Sequence, residues 1–149
     1  HPDWTIQVAN TPAVITCTDV MAKEHPELVV AYMKAMVKVG RWANEHKRAA
    51  AVLLNRQTFY LDPVDTYEGI KHVEMVPSLS AQNMQCIKIG KDFMLSHGYI
   101  KNDFDVDEWA APEFLEQGVR EWLEEEWEKK SWSKLAEGGG LETEGVRLG

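Results

Sequence analysis

Apolar side chains recur at helical spacing along most of the 149-residue chain. In residues 26–46 they return every three or four positions, which predicts an amphipathic helix. Pro26 and Glu27 favour a helix start there, because proline fits the first turn and a carboxylate complements the positive end of a helix. A second, alanine-rich helix is predicted over residues 47–56.

Two further helices are predicted from the residues that cap them. Asp62 and Pro63 suit the N-cap and the first helical position of a short helix that continues to about residue 73. Ser78 or Ser80 is predicted to cap the next, longer helix. That helix ends at Gly98, because glycine readily adopts the left-handed conformation that follows a helix.

The last predicted helix is amphipathic and follows an acidic turn region over residues 101–110. Pro112 lies at its start, where a proline costs no hydrogen bond. Its apolar stripe is predicted to contain Leu115, Val119, Trp122, Leu123 and Trp127. With this helix the pattern predicts a chain that is mostly α.

One segment near the start has the pattern of a β-strand. Strand material is confined to residues 4–20, where residues 13–18 are apolar and β-branched between Pro12 and Asp19. A lone strand leaves backbone groups without partners and must join a sheet. The rest of the chain offers little to build that sheet, so the pattern predicts that a partner segment completes it.

The order of these elements resembles the closing portion of the type II solute-binding fold. The run His25-Pro26-Glu27-Leu28-Val29-Val30 opens the first long helix, and Trp42-Ala43-Asn44 lies near its end, as in that fold. The fold is α/β, two-lobed and periplasmic-binding-protein-like. The resemblance implies that residues 1–20 are the returning hinge strand region and that residues 21–135 are the helical portion of one lobe. Residues 136–149, with three consecutive glycines, are predicted to be a flexible tail.

A second resemblance lies further along the chain. The run Asp107-Glu108-Trp109-Ala110-Ala111-Pro112-Glu113-Phe114-Leu115 looks like the C-terminal signature of aromatic sulfinate desulfinases, which have the same two-lobed fold and cleave a carbon–sulfur bond. This resemblance implies a small organic ligand between two lobes, with aromatic sulfur compounds as candidates. It also implies an N-terminal lobe or second polypeptide as a partner.

The resemblance places the catalytic residues outside this chain. The nucleophilic cysteine of the desulfinases and its basic helpers belong to the N-terminal part of the fold, and Cys17 and Cys86 match neither position. If the protein is an enzyme, it is expected to be a carbon–sulfur hydrolase of the cytoplasm. The alternative is a periplasmic solute-binding protein of an ABC-type transporter, for which lobe closure around the ligand is the whole activity.

Charge and composition remove several other classes of function. The net charge of −8 lies mostly in residues 101–130, and a nucleic-acid partner would need a basic surface. No apolar run reaches the roughly 20 residues that span a bilayer, so no membrane insertion is expected. The histidines show no metal-binding spacing, and Asp103, Asp105 and Asp107 lack the central glycine and closing glutamate of a calcium loop. Neither a metal nor a cofactor is predicted.

Three residues of the predicted hinge strand are the candidate ligand-binding residues: Thr16, Cys17 and Thr18. Hydroxyl and backbone groups on a strand between two lobes can orient an anionic group. In the alternative interpretation they are interior strand residues that contact sheet neighbours. Cys17 as a nucleophile would need a nearby base or cation, and Thr18 and Asp19 provide none.

Aromatic side chains on the last helix are candidate partner contacts. Trp122 and Trp127 lie on it and Trp132 follows closely, within an acidic, amphipathic stretch. Aromatic anchors of this kind fill grooves on partner proteins, which gives a second alternative, a non-catalytic subunit that docks through this helix. The same residues would otherwise cover the core of the chain itself.

Overall fold

The computed structural model of the chain describes residues 14–57 and 62–136, with side chains as far as residue 133. The mostly α character is confirmed, because helices make up most of this part of the chain. They are α1 (Asp19–Glu24), α2 (Pro26–Glu45), α3 (Lys47–Gln57), α4 (Pro63–Ile70), α5 (Ala81–Ser96), α6 (Val106–Trp109) and α7 (Pro112–Ala136).

The predicted β-strand is wrong for the residues that the structure describes. Residues 14–18 form no strand, and no strand occurs in 14–57 or 62–136 with which they could pair. Thr18 has extended dihedral angles, φ −77° and ψ 154°, but its hydroxyl accepts the backbone N–H of Met21 at 3.2 Å and caps α1. The segment therefore continues into a helix, which the β-branched pattern did not reveal.

The remaining parts of the fold prediction stay predictions. Residues 1–13 of the hinge strand region lie outside the described residues, as do residues 137–149 of the predicted flexible tail. Described helices make up most of the predicted helical portion, residues 21–135, without testing whether it belongs to a lobe. The two-lobed α/β architecture is therefore not confirmed.

One histidine lies between α1 and α2, and another lies between α2 and α3. His25 precedes Pro26, and the residue before a proline avoids the helical region; its dihedral angles are φ −136° and ψ 49°. His46 has similar angles, φ −127° and ψ 46°, and its backbone N–H still donates to the carbonyl oxygen of Trp42. These breaks let α1, α2 and α3 change direction while their terminal hydrogen bonds are kept.

Helix α2 packs along α7 and forms the centre of the described core. The inward face of α2 is buried at five positions, Val30, Met33, Val37, Gly40 and Ala43. Val37 is the one large side chain in the described residues that is less than 2% exposed. The described core therefore contains few large side chains that are completely buried. Because burial of apolar area is the main stabilising term in folding, this core supplies limited stabilisation.

Two glycines allow close backbone approach to α2. A Cβ atom at Gly118 of α7 would lie 2.9 Å from the backbone nitrogen of Lys34. A Cβ atom at Gly40 would lie 2.8 Å from the Cα of Val76, in the segment that crosses α2 after α4. Any larger residue would force the backbones apart at both crossings.

Helix α4 packs against α3 and is shorter than predicted, because it ends at Ile70. As expected, Asp62 caps it, accepting the backbone N–H of Val64 at 2.7 Å. The buried residues of this pair are Ala50, Ala51 and Thr66, whose hydroxyl donates to the Asp62 carbonyl at 3.0 Å. Small side chains thus set the contact between these two helices.

Helices α5 and α6 pack against each other. The predicted ends of α5 are confirmed: Ser80 caps it, and Gly98 beyond its end has a positive φ of 72°. The turn predicted over residues 101–110 contains α6, because the Asp105 carboxylate accepts the backbone N–H groups of Asp107 and Glu108. A single helical turn built on such a cap has too few residues to show periodicity.

Candidate partner and ligand interface

The predicted ligand-binding residues lie on the exposed segment that leads into α1. Thr16 and Cys17 are exposed, and the hydroxyl of Thr18 is engaged in the helix cap. Their role in ligand binding remains a prediction.

The three predicted partner-contact tryptophans do not share one face of α7. Trp122 is half-buried, whereas Trp127 and Trp132 are 75% and 71% exposed. Residues five positions apart on a helix differ in direction by about 140°, so each tryptophan points to a different side. Of the predicted apolar stripe, Leu115, Val119 and Trp122 are half-buried, whereas Leu123 and Trp127 are exposed.

An ion cluster joins the middle of α2 to α7. The Nζ atom of Lys34 donates to Glu125 at 2.8 Å and to Glu121 at 3.2 Å, and Lys38 donates to the second oxygen of Glu125 at 3.1 Å. The bonds from Lys34 and then Lys38 lower the pKa of Glu125 to about 2. Those from Glu125 and Glu121 raise the pKa of Lys34. The cluster links the middle of α7 to α2.

Beside this cluster lies an open groove of about 630 Å³ between α2 and α7. Trp42 and Trp122 contribute aromatic surface, and the Arg41 guanidinium lies 4.8 Å from the centre of the Trp122 ring. The lining residues are Lys38, Arg41, Trp42, Glu45, Trp122, Leu123, Glu126, Trp127 and Lys130. Trp122 and Trp127, predicted as partner contacts, both belong to this groove, and Trp132 does not.

On the other side of Arg41, Asn44 fixes the segment that crosses α2. Its carboxamide oxygen accepts Lys47 Nζ at 2.9 Å and the Met75 backbone N–H at 3.1 Å, and its nitrogen donates to Glu74. The pKa of Glu74 is lowered by the Val76 backbone N–H, which donates to it at 2.8 Å, and then by Asn44. This cluster could not be predicted from the sequence pattern, because Asn44 and Glu74 lie thirty positions apart.

The outward face of α2 is also apolar, and it is exposed. Its residues, spaced alternately four and three positions apart, are Leu28, Tyr32, Ala35, Val39 and Trp42. The stripe is about 21 Å long at 1.5 Å per residue. A helix that is apolar on two opposite faces is typical of a buried position between two layers. We call this set of residues the outer stripe.

The run that resembles the desulfinase signature presents aromatic side chains at the surface. Trp109 meets Phe104 edge to face, with 5.8 Å between ring centres, and both rings are exposed. Lys91 connects α5 to the loop before α6, donating to Asp103 at 2.7 Å and pairing with Asp92 at 2.8 Å. Trp109 of this run therefore contributes exposed aromatic surface.

Three features are absent from the described residues: a metal-site cluster, a disulfide and a helix suited to a membrane span. In the two described ranges, no three His, Cys, Asp or Glu side chains lie together as a metal site would require. Cys17 and Cys86 are not joined by a disulfide, and the former is exposed while the latter is buried. Among the described helices, none combines the length and apolar character that a membrane span requires.

Comparison with known proteins gives a distant similarity to one kind of enzyme. Over 110 residues the chain is 24% identical to 2'-hydroxybiphenyl-2-sulfinate desulfinases of Rhodococcus erythropolis, Rhodococcus qingshengii and Rhodococcus erythropolis strain XP. The match covers 72% of this chain and 30% of each relative. No family model and no solved structure matches the chain. The chain therefore has a desulfinase-like relationship and spans about a third of the relatives' length.

Proposed function

We propose that this chain is the C-terminal segment or subunit of a desulfinase-like protein. In this proposal a small organic ligand, with aromatic sulfinates as the leading candidates, binds between two lobes. The carbon–sulfur chemistry then depends on residues in the other portion of the protein. The observation that carries the proposal is the similarity to the desulfinases over 72% of the chain.

The outer stripe of α2 supports the proposal physically. Leu28, Tyr32 and Val39 are 52–60% exposed, and Trp42 is 39% exposed. A contiguous apolar surface of this kind marks a contact in most proteins. The portion of the desulfinases that has no counterpart here is more than twice as long as the matched part, so it is large enough to cover the stripe.

The test is a chimaera in which this chain replaces the equivalent portion of the Rhodococcus erythropolis desulfinase. We expect the chimaera to fold and to remove the sulfinate group from 2'-hydroxybiphenyl-2-sulfinate. Val39→Lys should lower the yield of folded chimaera and its activity, because it places a charge in the covered stripe. Val64→Lys is the matched control, since Val64 is 66% exposed and lies on α4.

Each outcome of the chimaera experiment has a meaning. A folded chimaera that binds the sulfinate without cleaving it, measured by calorimetry, would favour the solute-binding alternative. A folded chimaera that neither binds nor cleaves would contradict the proposal. Equal losses from Val39→Lys and Val64→Lys would remove the outer stripe as its physical support.

A second candidate function is a non-catalytic subunit that docks through α7. The exposure of Trp127 and Trp132, 75% and 71%, favours it, because large aromatic side chains are frequent anchors at protein interfaces. Their different directions would require a partner that contacts two sides of the helix. In the chimaera, Trp132→Ala would then leave sulfinate cleavage unchanged while it weakened assembly with that partner.

A further inference from the structure

The outer stripe of α2 has the spacing with which one helix packs along another. Its residues follow one another at intervals of four, three, four and three positions from Leu28 to Trp42. This alternation is the heptad pattern of paired helices, in which apolar residues occupy the a and d positions. Leu28, Ala35 and Trp42 fall on d positions, and Tyr32 and Val39 fall on a positions. The stripe therefore presents the geometry that a second helix fits.

The exposed part of the stripe is narrow. On one side it is bordered by the exposed residues Ala31, Lys38 and Glu45, which fall on g positions. On the other side, Val29 and Met36 are already half-buried. A stripe confined to a and d positions is the seam of a helix pair, and it is narrower than the apolar face that a helix turns towards a globular core. Its width thus suits one further helix.

The charged side chains along the border already have partners. Lys38 Nζ donates to Glu125 at 3.1 Å, and the Glu45 carboxylate lies 3.8 Å from the Arg41 guanidinium. These two cations and two carboxylates balance, so the border has no excess of either sign. Recognition at the stripe therefore depends on apolar area and shape.

The shape of the stripe has a low point in its middle. Ala35 is exposed between Tyr32 and Val39, which are 52% and 60% exposed. A small side chain among larger ones leaves a hole, and paired helices fill such holes with one large side chain of the partner. A stripe about 21 Å long takes roughly four turns of a partner helix.

From this spacing and shape we propose that the outer stripe packs against one amphipathic α-helix, with a large apolar side chain of that helix over Ala35. The helix belongs to the remaining portion of the protein, so its source rests on the function proposed above. The unmatched portion of the relatives is long enough to supply it. Helix pairs of this kind cross at about 20°, so the partner runs nearly along α2 and covers the whole stripe.

The test uses two peptides of identical composition and zero net charge as probes. One has leucine at the a and d positions of three heptads, and the other has the same leucines at every second position, which favours a strand. Each carries fluorescein and is kept at nanomolar concentration, so that it stays monomeric, while the full 149-residue chain is titrated in. Fluorescence anisotropy should show that the heptad peptide binds about tenfold or more tightly than its isomer.

Two alanines of α2 provide a matched pair of substitutions. Ala35 and Ala31 are both exposed, and glutamine is a good helix former at either position. Ala35→Gln should weaken binding of the heptad peptide by about tenfold or more, because it fills the hole with a polar group that the partner helix buries. Ala31→Gln should change binding by less than about twofold, since g positions of paired helices are commonly polar. Unchanged circular dichroism of both variants shows that they remain folded.

Three results with the chain alone would overturn the proposal. Equal binding of the two peptides would indicate a surface without preference for a helix. Equal losses from Ala35→Gln and Ala31→Gln would indicate a wide contact, such as a sheet makes. A dimer of the chain in sedimentation experiments that Val39→Lys dissociates would make a second copy the occupant.

The chimaera tests the source of the helix. There the heptad peptide should no longer bind, because a helix of the protein itself occupies the stripe. An active chimaera that binds the peptide as tightly as the chain alone would overturn this inference and leave the proposed function intact. A folded chimaera that neither binds nor cleaves the sulfinate would refute the proposed function, and with it the source of the helix, however the peptide binds.

Discussion

The pair α2–α7 and the pair α5–α6 are held together in different ways. Between α2 and α7 the backbones approach closely at Gly118, and Val37 is almost completely buried. Between α5 and α6, Cys86 and Val106 are the buried residues, and ion pairs such as Lys88–Asp107 at 2.6 Å link the surface. The first pair combines close packing with the Lys34 ion cluster, whereas the second has less buried surface and relies on exposed charges and caps.

The difference indicates which exposed apolar surface of the chain is suited to contact another part of a larger protein. Exposed ion pairs each contribute little to stability, so the contact between α5 and α6 is weakly stabilised. Phe93, Tyr99 and Trp109 are exposed in this region. In contrast, α2 is secured on its inner side by packing and by the Lys34 cluster, yet its outer stripe is as exposed as those aromatic groups. A helix that packs on one face and is apolar on the other is typical of a position between two layers.

The largest expected effect comes from adding a methyl group where backbones touch α2. Gly40→Ala should lower the free energy of unfolding by about 3 kcal/mol, and Gly118→Ala by about 1–2 kcal/mol, because a rigid backbone neighbour must move in each case. The larger effect is expected at Gly40, where a Cβ atom would collide with both Met75 and Val76. Urea unfolding followed by circular dichroism measures both values.

Gly90 of α5 is the matched control for this comparison. No atom lies within 4 Å of a Cβ built there, so Gly90→Ala should instead raise stability by about 0.5–1 kcal/mol through helix propensity alone. A similar loss at all three glycines would mean that the two helix pairs are equally tightly packed, against the contrast drawn above.

A smaller effect is expected from the ion cluster, and it depends on pH. The folded-state pKa of Glu125 is about 2, below its ordinary value of 4.5, so its contribution is present above pH 4.5 and is lost as the pH falls towards 2. Glu125→Gln should lower the melting temperature at pH 7 by about 1–3 °C and should flatten the decline in acid.

Glu124→Gln serves as the control for the cluster, because Glu124 is exposed on the same helix and is not one of the carboxylates of the cluster. High salt should reduce the difference between the two variants, since screening weakens exposed ion pairs. Equal melting temperatures for Glu125→Gln and the unmodified chain at low salt would show that the cluster does not hold α7.

Local signals in the sequence predicted the helices well. Pro26, Asp62, Ser80 and Gly98 each lie at the helix end that their chemistry indicated, because capping depends only on residues a few positions away. The β-branched residues before α1 misled the strand prediction, since extended backbone becomes a strand only when a neighbouring strand is present.

The candidate sites were predicted less completely, because they depend on contacts between distant positions. Trp122 and Trp127 were identified, but the groove also needs Arg41 and Trp42, some eighty positions earlier in the chain. The outer stripe was not predicted, because apolar residues of both faces, among them Leu28, Val37 and Trp42, were combined in one amphipathic pattern. Thr16, Cys17 and Thr18 stay a prediction about a cleft that needs a second lobe.

The most direct test of the central claim asks whether the outer stripe becomes covered in a larger protein. Val39→Cys and Val64→Cys, both at exposed positions of this chain, are alkylated with iodoacetamide in the chain alone and in the desulfinase chimaera, with each peptide quantified by mass spectrometry. We predict equal rates in the chain alone and slowing by about tenfold or more in the chimaera at position 39 only, as burial during a cooperative fold requires. Unchanged reactivity at position 39 in a folded chimaera would contradict the claim that α2 lies between two layers.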